Sequence, residues 1–149
     1  MLTLPNGKPI DEDMLGTAME DSDMATRYFL NTQTGEIVFL SEYADPDEQE
    51  KLSEEIDGSN DYVPIERIPS HVAYQWMEDF VNEIVAPQSK QVAEKLSIAL
   101  MGKGAFRRFK DVLRMSGDKW EQAWYQCRDE HLQAAMREWL AEELGEDYN

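Results

Sequence analysis

Glycines, paired aromatic rings and clustered cations meet at one place in this chain, Met101-Gly102-Lys103-Gly104-Ala105-Phe106-Arg107-Arg108-Phe109-Lys110-Asp111. Helical spacing puts Phe106 and Phe109 on one face with Val112 and Leu113, and spreads Lys103, Arg107, Lys110 and Arg114 over the rest. The chemistry on offer is anion binding. Free backbone N–H groups at a helix start, with Gly102 and Gly104 letting a ligand come close, would sit beside the Arg107 and Arg108 guanidinium groups and the Lys103 ammonium. The plainer reading, which we prefer, is a core helix whose arginines pair with the protein's own carboxylates, Glu78, Asp79 and Asp129 among them. No nucleotide loop is spelled here, because Gly102-Lys103-Gly104 lacks the Gly-x-x-x-x-Gly-Lys-Ser/Thr spacing and follows a helical pattern where that loop follows a strand.

Other reactive side chains are scattered. His71 and His131 do not form an i, i+4 pair, and there is no Gly-x-Ser-x-Gly elbow. Cys127 lies on an apolar stripe and reads as a small core residue, with His131 one turn away and within reach. Glu78 and Asp79 diverge by about 100° on a helix and would not share a substrate. Asp11, Asp13, Asp21 and Asp23 suggest a calcium loop, but Leu15 stands where a third oxygen ligand is needed and Ser22 where the loop's twelfth-position Glu belongs, so these acids read as helix capping and a solvated face. No catalytic residue, metal or cofactor is expected.

The elements that must position these residues come from a chain of 149 residues, enough for one domain over 1–149. A single cysteine agrees with a reducing compartment, and the chain offers neither a membrane-length apolar run nor signal-peptide chemistry at its start, so a cytoplasmic location is expected. The net charge of −17 is uneven. Residues 1–66 hold 17 acidic and 3 basic side chains, net −14, whereas 67–149 hold 14 and 11, net −3. That field argues against general nucleic-acid or membrane binding and favours a basic protein partner.

Ile10 and Leu15 frame a helix start capped by Asp11. Arg27–Leu30 and Glu36–Leu40, rich in aromatic and β-branched residues, flank the turn Asn31-Thr32-Gln33-Thr34-Gly35 and predict a hairpin. Asp45-Pro46-Asp47-Glu48 opens a short acidic surface helix that ends at Asp57-Gly58. Tyr62–Ile65 predicts a third short strand, held to an edge by Pro64. Everything after Pro69 reads as helix: one capped by Ser70, a second before Gly102, a central one from Ala105 to Met115, and a last one of about 25 residues capped by Asp118 and ended by Gly145. Segregated elements predict an α+β fold, with a small antiparallel sheet in the acidic N-terminal half, residues 1–66, and a helical C-terminal half, residues 67–149.

The hairpin string Tyr28–Val38, the Ile68-Pro69-Ser70 entry to Met77-Glu78-Asp79-Phe80, the Gly102–Asp111 string and the Trp124-Tyr125…Trp139-Leu140 helix together give a resemblance over most of the chain. They resemble a bacterial family known only as uncharacterised, which implies no activity and no site residue. The expected function is therefore a non-enzymatic interaction or regulatory protein. It would engage a basic partner through its acidic half or through an exposed aromatic surface around Trp120 and Trp124. The alternatives are a small enzyme or anion receptor built on Gly102–Phe109, and a homodimer joined along the Trp-rich helix.

Overall fold

A computed structural model describes residues 2–145. Asp11 accepts a hydrogen bond from the Met14 N–H at 3.2 Å and caps α1 (Glu12–Glu20). The hairpin follows as β1 (Thr26–Asn31) and β2 (Ile37–Ser41), antiparallel with Tyr28 opposite Phe39 and Leu30 opposite Ile37. Its turn needs a left-handed residue, which Gly35 supplies at φ +79°. A Cβ there would also lie 2.1 Å from the Pro9 carbonyl oxygen. Asp45 caps α2 (Pro46–Asp57), with Pro46 at the first helical position where its missing N–H costs nothing. Then β3 (Tyr62–Pro64) pairs with the other side of β1, giving the strand order β2-β1-β3. Pro64 lies on that outer strand, as its chemistry requires.

The remainder is helical. α3 (Ser70–Phe80) continues into a π-helical turn over Val81–Val85, and α4 (Lys90–Ala99), α5 (Ala105–Ser116) and the 27-residue α6 (Asp118–Leu144) follow. The fold is α+β, as the segregation of patterns implied. Two helix starts differ from expectation by one residue. Pro69, extended at ψ 147°, occupies the cap position and Ser70 is already helical, without a side-chain cap bond. Likewise the Glu121 N–H donates to Gly117 O, so Gly117 precedes α6 and Asp118 is its first helical residue.

The chain divides into two compact units, which the hydrophobic patterning explains separately. The first takes the described residues up to Ile68 together with those from Gln133 onward, and buries Leu2, Leu4, Ile10, Leu15, Met19, Phe29, Leu30 and Ile37. The second, Pro69–Leu132, is organised around Phe80, Phe109 and Trp124. These three rings meet edge to face, with centroids 5.2–6.3 Å apart. Each such contact is worth about 0.5–1.5 kcal/mol beyond the area it buries. Phe109 is fully buried, whereas Phe106 stays 39% exposed, so the expected Phe106/Phe109 face splits. At 100° per residue, Phe106 lies at the margin of the Ala105/Phe109/Leu113 stripe and does not join it.

Candidate functional sites

The sequence-predicted site occupies the turn between α4 and α5. A helix leaves its last carbonyls without partners, and here two side chains supply them. The Tyr74 hydroxyl donates to Leu100 O at 2.7 Å. Arg108, one turn into α5, folds back so that its Nε donates to Ala99 O at 3.1 Å, while its Nη1 and Nη2 donate to Lys103 O and Met101 O. A cation at the carbonyl end of α4 also meets the negative end of that helix's dipole. Gly102 and Gly104 are left-handed, at φ +74° and +77°, and reverse the chain. A Cβ on Gly104 would come within 3.1 Å of Arg108 Nη1, so this glycine makes room for a guanidinium of the protein itself.

That arrangement corrects the expected carboxylate pairing. Arg108 is held by backbone carbonyls, and among the described residues no carboxylate pairs with either Arg107 or Arg108. The other basic residues also differ from expectation: they are gathered, not spread. Arg107, Lys110 and Arg114, spaced i, i+3, i+7, fall within about 60° of one another on the solvent face of α5, and all are exposed. Lys103 is exposed in the turn before them. Large apolar side chains flank this stripe in the open: Met101, Phe106 and Met115, with Ile98 at the end of α4. The structure thus places Gly102, Gly104 and Arg108 in a turn clamp and leaves Lys103 and Arg107 facing water.

A second location escaped sequence reasoning. In the first unit, an open groove of about 590 Å³ runs between the start of β1, the end of β2 and one face of α2. Met24, Leu40 and Ala44 give it apolar surface, while Glu42 and Glu50 give it charge. Pro46, Gln49, Glu50 and Ser53 present one helical face to it. Gln49 Oε1 accepts the Ser41 N–H at 2.7 Å and ties α2 to the strand end. Arg27 also lines the groove, with its guanidinium 5.4 Å from the centroid of the Phe29 ring. Met24, 85% exposed, and Tyr43, 79% exposed, stand open at this end of the unit. The only signal for them in the sequence is their position outside any amphipathic stripe.

The remaining sequence candidates resolve into structure. Asp21 accepts the Asp23 N–H at 2.8 Å and the Tyr28 hydroxyl at 2.7 Å, and Asp23 accepts the Ala25 N–H at 2.9 Å, so these acids shape the turn into β1. Those bonds hold the Asp21 carboxyl below its usual value, the Asp23 N–H contributing most, and the Tyr28 bond correspondingly raises the phenol. Burial pushes the Cys127 thiol up, with Glu130, Glu83 and Asp79 adding to it. His131 stacks on Trp76, centroid to centroid 5.2 Å, instead of reaching the thiol. Trp120 and Trp124 are 8% and 4% exposed, which removes the expected aromatic docking surface, because both rings belong to the core of the second unit. Among the described residues no helix is long and apolar enough to cross a membrane, and no three His, Cys, Asp or Glu side chains are grouped to hold a metal ion.

Comparison with known proteins gives one finding. The model of a family described as an uncharacterised protein family (UPF0158) matches residues 9–145. No curated protein and no solved structure matches the chain.

Proposed function

The chain belongs to the uncharacterised protein family UPF0158, and from that membership, which brings no assigned chemistry, we propose a non-enzymatic, cytoplasmic interaction protein whose acidic first unit binds a basic protein partner. The observation that carries this reading is the groove beside α2. It combines an apolar floor with Glu42 and Glu50, and Met24 and Tyr43 stand exposed at the same end of the unit. Six acidic residues and one lysine make α2 a concentrated negative surface, and a partner's lysine or arginine can lay its aliphatic stem on the apolar floor while its charge meets a carboxylate. The runner-up, anion or ligand binding at Gly102–Phe109, draws on Lys103 and Arg107 but has lost Arg108 to the turn clamp.

The test is capture of partners by wild type beside a variant carrying Glu42→Gln, Asp47→Asn, Glu48→Gln, Glu50→Gln and Glu54→Gln, both checked for folding by circular dichroism. Wild type is expected to retain basic proteins that the neutral variant releases, with retention weakening as salt rises. Identical captured sets from the two proteins would overturn the reading.

A further inference from the structure

The exposed charges on α2 and α5 share a geometry. Both helices are 12 residues long. On α5, Arg107, Lys110 and Arg114 stand at i, i+3 and i+7; on α2, Asp47, Glu50 and Glu54 stand at i, i+3 and i+7 as well. Each trio falls within about 60° of arc and spans about 10 Å of helix. All six side chains are exposed, and among the described residues none has a hydrogen-bond or ion-pair partner through its side chain. Glu50 also lines the groove, so the acidic row runs along the edge of an apolar recess.

The exposed large hydrophobic residues follow the same division. Met24, Phe39 and Tyr43 belong to the acidic unit, while Ile98, Met101, Phe106, Met115 and Tyr125 belong to the second, the first four of these on or beside α5 and Tyr125 on α6. Opposite charge at matched spacing, each set accompanied by apolar side chains left in water, is the composition of two halves of one interface. A nucleic acid or anionic lipid would meet the cations of α5 alone and would leave the acidic groove beside α2 unused. A copy of the protein supplies both the cations and the apolar side chains.

We propose that the chain associates with itself through a heterologous contact, α5 of one copy seated along α2 of a second, with Arg107, Lys110 and Arg114 facing Asp47, Glu50 and Glu54. Phe106 or Met101 then enters the groove beside Met24 and Leu40. This rests on the interaction reading above and names the basic partner as α5 itself. The contact joins two different surfaces, so the mass reached tells whether it closes or continues.

The experiment is sedimentation velocity over a concentration series in about 0.1 M salt, where the screening length is about 10 Å and repulsion between whole molecules is damped more than contact pairs. Wild type is expected to rise above its monomer mass of 17.2 kDa with concentration. R107E/K110E/R114E alone and D47K/E50K/E54K alone are each expected to stay at monomer mass, whereas their equimolar mixture associates, because each variant then offers the surface that the other lacks. Circular dichroism of each variant separates loss of contact from loss of fold. A monomeric wild type overturns the proposal, as do variants that associate as wild type does or a mixture that remains monomeric. A wild type that stays monomeric but cosediments with single-stranded DNA or phosphatidylglycerol vesicles overturns it in favour of a polyanion on α5. If self-association is absent while the acidic surface still retains basic proteins, this inference falls and the interaction reading stands; if both are absent, both fall.

Discussion

Replacing Arg108 by alanine should unsettle the junction between α4 and α5, although the side chain lies at the surface. The substitution removes one part-buried bond to Ala99 O and two exposed bonds to Met101 O and Lys103 O. A hydrogen bond from a charged donor contributes about 1.5–3 kcal/mol when sheltered, and much less where water replaces it readily. Crediting the Ala99 bond at the lower end and the exposed pair with little more gives a loss of about 2 kcal/mol. For a chain of this size that corresponds to about 4–8 °C in melting temperature. Arg107→Ala is the control, since this neighbour has no partner among the described residues and should change stability by no more than about 0.5 kcal/mol. Arg108→Lys should recover some of the loss, because an ammonium keeps the charge near the carbonyls but not the planar fork. Thermal and urea unfolding followed by circular dichroism read all three. Arg108→Ala and Arg107→Ala melting together would refute the clamp.

Three further outcomes follow from local geometry. Gly35→Ala places a Cβ 2.1 Å from Pro9 O at positive φ and should cost about 3 kcal/mol or more, whereas Gly102→Ala, with open space around it, should cost only the left-handed penalty of about 1 kcal/mol; equal urea midpoints would contradict this. Asp21 is depressed by its bonds to the Asp23 N–H and the Tyr28 hydroxyl, so its contribution is present above the unfolded carboxyl value and is lost as pH falls through the lower folded one. Tyr28 is raised, so its contribution is present below the unfolded phenol value and is lost as pH rises through the higher folded one. Urea midpoints of wild type and Tyr28→Phe should therefore differ by a constant amount from about pH 5 to about pH 9 and converge outside that window. Cys127, buried and with its thiol raised, should react slowly with a disulfide reagent in the native protein and rapidly in urea; rapid native labelling would contradict its burial.

Much of the fold was legible because its signals are local. The β-branched and aromatic runs around Gly35 specified the hairpin, Asp11 and Asp45-Pro46 marked helix starts through bonds made within three residues, and Pro64 restricted its strand to an edge. The site was less legible because its partners are not residue types. Arg108 is satisfied by carbonyls that every residue carries, so a search for carboxylates near it in sequence pointed to the wrong atoms. The groove joins residues 24–27, 40–46 and 49–53, whose separate segments carry no shared pattern. The aromatic docking surface expected around Trp120 and Trp124 is instead core, because both rings join the cluster of Phe80 and Phe109, residues of other helices that the pattern of α6 alone does not reveal.

The 27 residues of α6 contribute to the second unit up to Leu132 and to the first from Gln133 onward. On the ribosome this sets an order of completion. The second unit has all its pieces once Leu132 has emerged, while the first waits for Met136, Trp139 and Leu140, which follow. A chain stalled or cleaved shortly before Gln133 would hold β1, β2 and β3 and yet lack a portion of the unit to which they belong.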